Sequence, residues 1–147
     1  MLLCLECYKI YNQKTIKNNM CKIKGCDGDV VEVDELFAPV IAELNRKGYR
    51  TKFCCSGHYT EDYPNTYINF EEGIKLPSLP EGYKYDKEIY PDVNWEKWKM
   101  EKYVTIRNVF DKGKSVVELS LDIFNSAVSV LEWAEGLEEF VESRDED

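Results

Sequence analysis

Four cysteines set in two close pairs, Cys4-x2-Cys7 and, thirteen residues on, Cys21-x4-Cys26, constrain this chain more than any other feature. Thiolates on two such turns can converge on one tetrahedral ion at metal–sulfur distances of about 2.3 Å. Four sulfur ligands leave no open position for water or substrate, so the expected cofactor is one structural Zn²⁺ and the expected motif a zinc ribbon. A segment of this kind has almost no apolar core, and metal-binding energy on the order of 10 kcal/mol is then its folding energy. The competing reading is four buried or disulfide-bonded cysteines. The second pair is slightly wider than the commonest ribbon knuckle. With 147 residues, 44% of them hydrophobic, the chain has room for one compact core plus a small metal-stabilised appendage. The division expected is residues 1–29 as the ribbon and 30–147 as a small α/β domain.

No uninterrupted apolar run approaches the ~20 residues that cross a bilayer, and Met1-Leu2-Leu3-Cys4-Leu5 is too short for a signal-peptide core. A cytoplasmic location with reduced thiols and no membrane partner is therefore expected. The net charge of −9 is unevenly spread. Lys9, Lys14, Lys17, Lys22 and Lys24 oppose only Glu6 before Cys26, whereas Glu132 to Asp147 carries eight acids and one Arg. An acidic body argues against broad backbone-driven nucleic-acid binding, while the basic ribbon leaves a local contact with nucleic acid open.

Along the chain, Asp27-Gly28 reads as a turn and Val30-Val31-Glu32-Val33-Asp34 as a short strand. Leu36, Phe37, Val40, Ile41 and Leu44 recur at helical spacing; Asp34 can cap that helix, and Pro39 either starts it near Ala38 or kinks its opening. Tyr49, Thr51 and Phe53 alternate with Arg50 and Lys52 in a strand ending at Cys54-Cys55-Ser56-Gly57-His58. Strand, helix, strand implies a right-handed parallel crossover. Further strands are expected at Thr66–Phe70 and Tyr103–Arg107, separated by a long connection carrying Pro77, Pro80 and Pro91. After the Asp111-Lys112-Gly113-Lys114 turn the chain is expected to begin extended. Ile123, Ala127, Leu131, Ala134, Leu137 and Val141 then line one face of a final helix. The fold class is α+β: a zinc ribbon, a small mixed sheet with one crossover helix, and a long C-terminal helix.

At the end of a strand in a parallel crossover, the Cys55-Ser56-Gly57-His58 turn lies where such folds bind ligands. Ser56-Gly57 can turn backbone N–H groups toward an anion, Ser56 adds a hydroxyl and His58 an imidazole, with Arg50 and Lys52 close by. Cys54, Cys55 and His58 make half of a second metal site, and a packed structural turn is the plain alternative. Tyr59, Tyr63, Tyr67, Tyr83, Tyr85 and Tyr90 concentrate on and after this turn and could stack on a planar ligand, while Trp95 and Trp98, three apart, read as a buried helix face.

The run Asp34-Glu35-Leu36 through Leu44-Asn45, Thr51 and Cys55-Ser56-Gly57 resembles the wybutosine-synthesis methyltransferase family over about 30 residues. That resemblance implies tRNA as acceptor and S-adenosylmethionine as cofactor, although the family continues with Arg where this chain has His58. Residues 1–30 resemble the zinc ribbons of small bacterial and phage proteins, a resemblance that implies no particular activity; in a phage protein, sequestering a nucleotide signal would suit such a design. The leading expectation is non-catalytic binding of a small anionic or nucleotide-like ligand by Arg50, Lys52, Cys55, Ser56, Gly57, His58, Tyr59 and Tyr67. The alternatives are an S-adenosylmethionine-dependent RNA-modifying enzyme and a zinc-ribbon adaptor contacting nucleic acid or protein.

Overall fold

The computed structural model describes residues 1–11, 20–57, 64–94 and 103–141. The chain forms β1 (Leu2–Cys4), β2 (Ile10–Tyr11), β3 (Val30–Glu32), α1 (Ala38–Arg46), β4 (Thr51–Cys55) and β5 (Asn65–Phe70). It continues through β6 (Lys84–Tyr85), the single turn α2 (Asp86–Ile89), β7 (Val104–Val109) and α3 (Val116–Gly136). This is an α+β fold with a long C-terminal helix.

The parallel crossover is not formed. The strands on either side of α1 belong to different sheets: β3 closes a three-stranded sheet in the order β2-β1-β3, and β4 opens a four-stranded sheet in the order β4-β5-β7-β6. All paired strands among the described residues run antiparallel, so the sheet is not mixed. The crossover rule presupposes two strands of one sheet. Here Val30–Glu32 is taken by β1, with Leu3 opposite Val31 and Cys4 opposite Val30.

Helix α1 starts where the chain geometry allows. Asp34 Oδ1 accepts from the Leu36 N–H at 3.2 Å to shape the preceding turn, and Pro39 sits in the first helical turn, where its missing N–H costs nothing. Its apolar face, Ala38, Val40, Ile41 and Leu44, is buried. α3 begins with a reciprocal cap: Ser115 Oγ accepts from the Glu118 N–H at 3.2 Å while Glu118 Oε1 accepts from the Ser115 N–H at 3.3 Å. The extended start expected after the Asp111–Lys114 turn is therefore absent. Leu119, Ile123, Ala127, Val130 and Ala134 face inward, whereas Leu137 follows the helix end and Val141 is exposed.

One core joins these elements. Phe37 of the turn, Leu44 of α1, Ile68, Phe70 and Ile106 of the larger sheet, Val130 of α3 and Leu3 of β1 are completely buried in a single cluster. Each such side chain contributes roughly 1.5–3 kcal/mol by leaving water. Lys47 clasps the two helices, its Nζ donating to the Ala134 and Glu135 carbonyls at 2.9 and 2.6 Å at the C-terminal end of α3. That end carries partial negative charge, so the cation is well placed.

Candidate metal centre and adjoining cleft

The four cysteine sulfurs all lie within 4.8 Å of one another. Cys4 and Cys26 Sγ are 3.6 Å apart and Cys7 and Cys21 Sγ 3.5 Å. A tetrahedron with 2.3 Å metal–sulfur bonds has edges of about 3.8 Å, so the quartet has the size of a four-thiolate site.

The local backbone builds this arrangement. β1 delivers Cys4, completely buried, and the chain then reverses over residues 5–7, with the Tyr8 N–H on the Cys4 carbonyl and the Cys4 N–H on the Lys9 carbonyl, both at 3.0 Å. Within the reversal the Glu6 and Cys7 amides donate to Cys4 Sγ at 3.4 and 3.5 Å. The second pair is folded by Cys26 N–H on the Ile23 carbonyl at 2.9 Å and by Cys21 N–H on the Gly28 carbonyl at 3.2 Å. Gly28 matters through close approach: a Cβ there would lie 2.6 Å from Cys4 Sγ and 2.6 Å from Glu6 Cβ.

Outer contacts tune the sulfurs. The Tyr11 hydroxyl lies 3.1 Å from Cys21 Sγ and, as the strongest influence on it, draws the Cys21 thiol down to about 6. Cys26 receives a lowering hydrogen bond from the Gly28 amide, but desolvation and the neighbouring sulfurs outweigh it and push the thiol up to about 12. Thiols packed this closely cannot all ionise without a cation among them, which is the electrostatic reason the quartet suits a metal.

The turn after β4 is built differently from its sequence expectation. The anion-facing geometry is present, and the anion is the chain's own Asp34: its carboxylate accepts from the Ser56 hydroxyl and, at 3.4 Å, from the Ser56 N–H. Ser56 is 3% exposed. Gly57, at φ +108°, packs so closely that a Cβ would lie 3.2 Å from the Asn65 carbonyl oxygen and from Ile123 Cγ1. Cys55 is half-buried, its carbonyl accepting from Thr66 Oγ1 at 2.9 Å. Arg50 stands outward with its side chain 72% exposed, 4.0 Å from Glu71. His58, Tyr59, Tyr63, Trp95, Trp98, Lys14 and Lys17 lie outside the described residues.

Two of the nominated residues meet elsewhere. Lys52 and Tyr67, with Cys54, line a cleft of about 310 Å³ together with Leu5, Glu32 and Asp34. The strand is irregular between Thr51 and Phe53, which breaks the simple alternation read from the sequence. Lys52 Nζ donates to the Tyr103 hydroxyl at 2.9 Å and lies 4.3 Å from that ring's centroid. Arg107 sits 4.7 Å from the Tyr67 ring centroid and pairs with Asp86 at 2.9 Å, holding that ring in place. Burial pushes the Cys54 thiol up to about 11, so it faces the cleft as a neutral group.

No family model, curated protein or solved structure matches this chain. The methyltransferase and phage-protein likenesses gain no support from those comparisons, and function rests on the site itself. Among the described residues no helix is long and apolar enough to cross a membrane.

Sequence reasoning found the cysteine quartet and missed the cleft. The cleft depends on β3 and β4 standing in separate sheets, and no local pattern encodes that. The Asp34–Ser56 contact also escaped, since it spans 22 residues. The Tyr83 hydroxyl, 3.1 Å from Thr66 Oγ1 and 3.2 Å from Ser126 Oγ, likewise went unread; this tyrosine is a buried core residue rather than a stacking platform.

Proposed function

We propose that the protein is a non-catalytic, zinc-stabilised binding module. One structural Zn²⁺ held by Cys4, Cys7, Cys21 and Cys26 fixes the small sheet, and the cleft between the sheets takes a small ligand with an anionic group and a planar part. The observation that carries the reading is the position of the thiolate quartet at the end of β1, in the sheet whose segment around Glu32 to Asp34 walls the cleft. Four thiolates suit zinc or iron, and the closed, waterless donor set suits a structural ion. In the cleft, Lys52 offers the cation for a phosphate or carboxylate, Tyr67 a ring, and Glu32 an acceptor for a ligand N–H or O–H. The volume, about 310 Å³, fits a single small molecule at the low end of ligand sites. No observation on the described residues favours the RNA-modifying enzyme or the adaptor over this reading.

The test is native mass spectrometry of protein purified without chelator, followed by elemental analysis and denaturing release. One zinc per chain and a releasable organic mass are expected, with Lys52→Ala losing the organic mass and keeping the zinc. A metal-free protein, or visible absorbance from bound iron, would overturn the zinc assignment. Retention of the organic mass by Lys52→Ala would overturn the ligand site.

A further inference from the structure

The charges around the cleft do not match a purely anionic guest. Its lining carries one cation, Lys52, and two carboxylates, Glu32 and Asp34. The remaining lining groups add no charge: Cys54 keeps its proton, and the Thr51 hydroxyl oxygen accepts from Asn45 Nδ2 at 3.0 Å. Among the nearby cations, Arg107 behind the Tyr67 ring is already matched by Asp86, and Arg50 points outward beside Glu71. A phosphate or carboxylate drawn to Lys52 therefore also meets two like charges, and a doubly charged phosphate meets them twice over.

Burial sorts the same residues by depth. Lys52 and Glu32 are exposed, Asp34 and Tyr67 are half-buried, and Val33 and Ile41 are buried. The ionic groups thus gather toward the mouth, over an apolar floor. The Asp34 carboxylate accepts from the Leu36 N–H and from the hydroxyl and N–H of Ser56, three donors for about four lone-pair sites, so it can take one donor more.

We propose that the cleft takes a zwitterion, an α-amino acid with a flat apolar side chain. This rests on the binding reading above and narrows its ligand to one class. An amino acid carries ammonium and carboxylate on one carbon and its side chain on the same atom pointing away, so both charges can stay at the mouth while the side chain enters. The carboxylate meets Lys52, the ammonium meets Glu32 and Asp34, and the ring lies against Tyr67 over Val33 and Ile41. The ammonium turns two repulsive neighbours into attractive ones, which a simple carboxylic acid or a nucleotide phosphate cannot do. The volume of about 310 Å³, at the low end for ligand sites, suits a molecule of this size.

Isothermal titration calorimetry of the zinc-loaded, intact chain near neutral pH tests this with three probes. L-Phenylalanine has both charges, 3-phenylpropionate lacks the ammonium, and phenethylamine lacks the carboxylate. L-Phenylalanine is expected to bind with a dissociation constant on the order of 100 µM, and each analogue about tenfold more weakly. Glu32→Gln, folded by circular dichroism, should weaken L-phenylalanine and leave 3-phenylpropionate no weaker than before. Lys52→Ala should weaken L-phenylalanine and leave phenethylamine no weaker. If 3-phenylpropionate binds as tightly as L-phenylalanine, the zwitterion is wrong and an anionic ligand at Lys52 still stands. If phenethylamine binds as tightly, both the zwitterion and the anionic ligand are wrong. No heat from L-phenylalanine up to about 5 mM would overturn the amino-acid class, and the organic mass kept or lost by Lys52→Ala then judges the cleft separately.

Discussion

Replacing Gly28 by alanine is expected to weaken metal binding about ten- to a hundredfold, and the reasoning runs entirely through one close approach. The φ of Gly28 is not in the left-handed region, so alanine adds no backbone strain and the effect isolates the added methyl. That methyl would sit 2.6 Å from Cys4 Sγ and from Glu6 Cβ, where van der Waals contact needs roughly 3.5–4.0 Å. One side must yield by about 1 Å. Cys4 cannot yield freely, since β1 is paired on both edges and Cys4 is completely buried. Metal–sulfur distances tolerate only ~0.2 Å, so the displacement is taken from the coordination sphere, at a cost of about 1–3 kcal/mol. Competition against a chromophoric zinc chelator reads the affinity, with Gly73→Ala as control. Gly73 has φ +87° and nothing within 4 Å of an added Cβ, so that variant should lower the melting temperature slightly and leave zinc affinity alone. Equal zinc affinity in wild type and Gly28→Ala would refute the reasoning.

Three further outcomes are expected. Asp34→Ala should cost about 2–3 kcal/mol by urea denaturation, because it strands the buried Ser56 hydroxyl and amide and frees the Leu36 N–H; Ser56→Ala should cost clearly less, and equal midpoints for Asp34→Ala and wild type would contradict this. Arg107→Ala should cost about 3 kcal/mol, since Arg107 and Asp86 have side chains only 19% and 12% exposed and the variant removes the bidentate partner of Asp86; a thermal melt unchanged from wild type would count against it. Burial raises the Cys54 thiol from its ordinary 9.0 to about 11, so the folded state holds its proton more tightly than the unfolded chain does. That contribution is full below pH 9 and lost as pH rises toward 11, and Cys54→Val should show a shallower loss of stability across that window.

Local signals carried much of the fold. The Pro39 position and the spacing of Val40, Ile41 and Leu44 gave α1, and the paired cysteines gave the sulfur quartet, because both are encoded within a few residues. The Ser115-Val116-Val117-Glu118 cap is written in the sequence as well, although the expected start was extended; the reciprocal cap bonds outweigh the modest helix penalty of the two β-branched valines. What stayed hidden was pairing. Whether Val30–Glu32 joins β1 or the larger sheet is a choice between distant partners, and the wrong choice produced the parallel crossover. The strand irregularity between Thr51 and Phe53 is likewise not visible in the simple alternation of the sequence, and beyond it Cys54 packs partly against the core.

On β1, Leu3 belongs to the main core and its neighbour Cys4 to the small cluster around the cysteine quartet. Adjacent residues of a strand point to opposite faces, so two chemistries share a single peptide link. The cysteine quartet is thus not an ornament on a detachable module. Oxidation of the sulfurs should be felt as a loosening of the body around Phe37 and Ile68, and mutations that soften that core should in turn release metal more readily. Redox state and folding stability become two readings of one equilibrium.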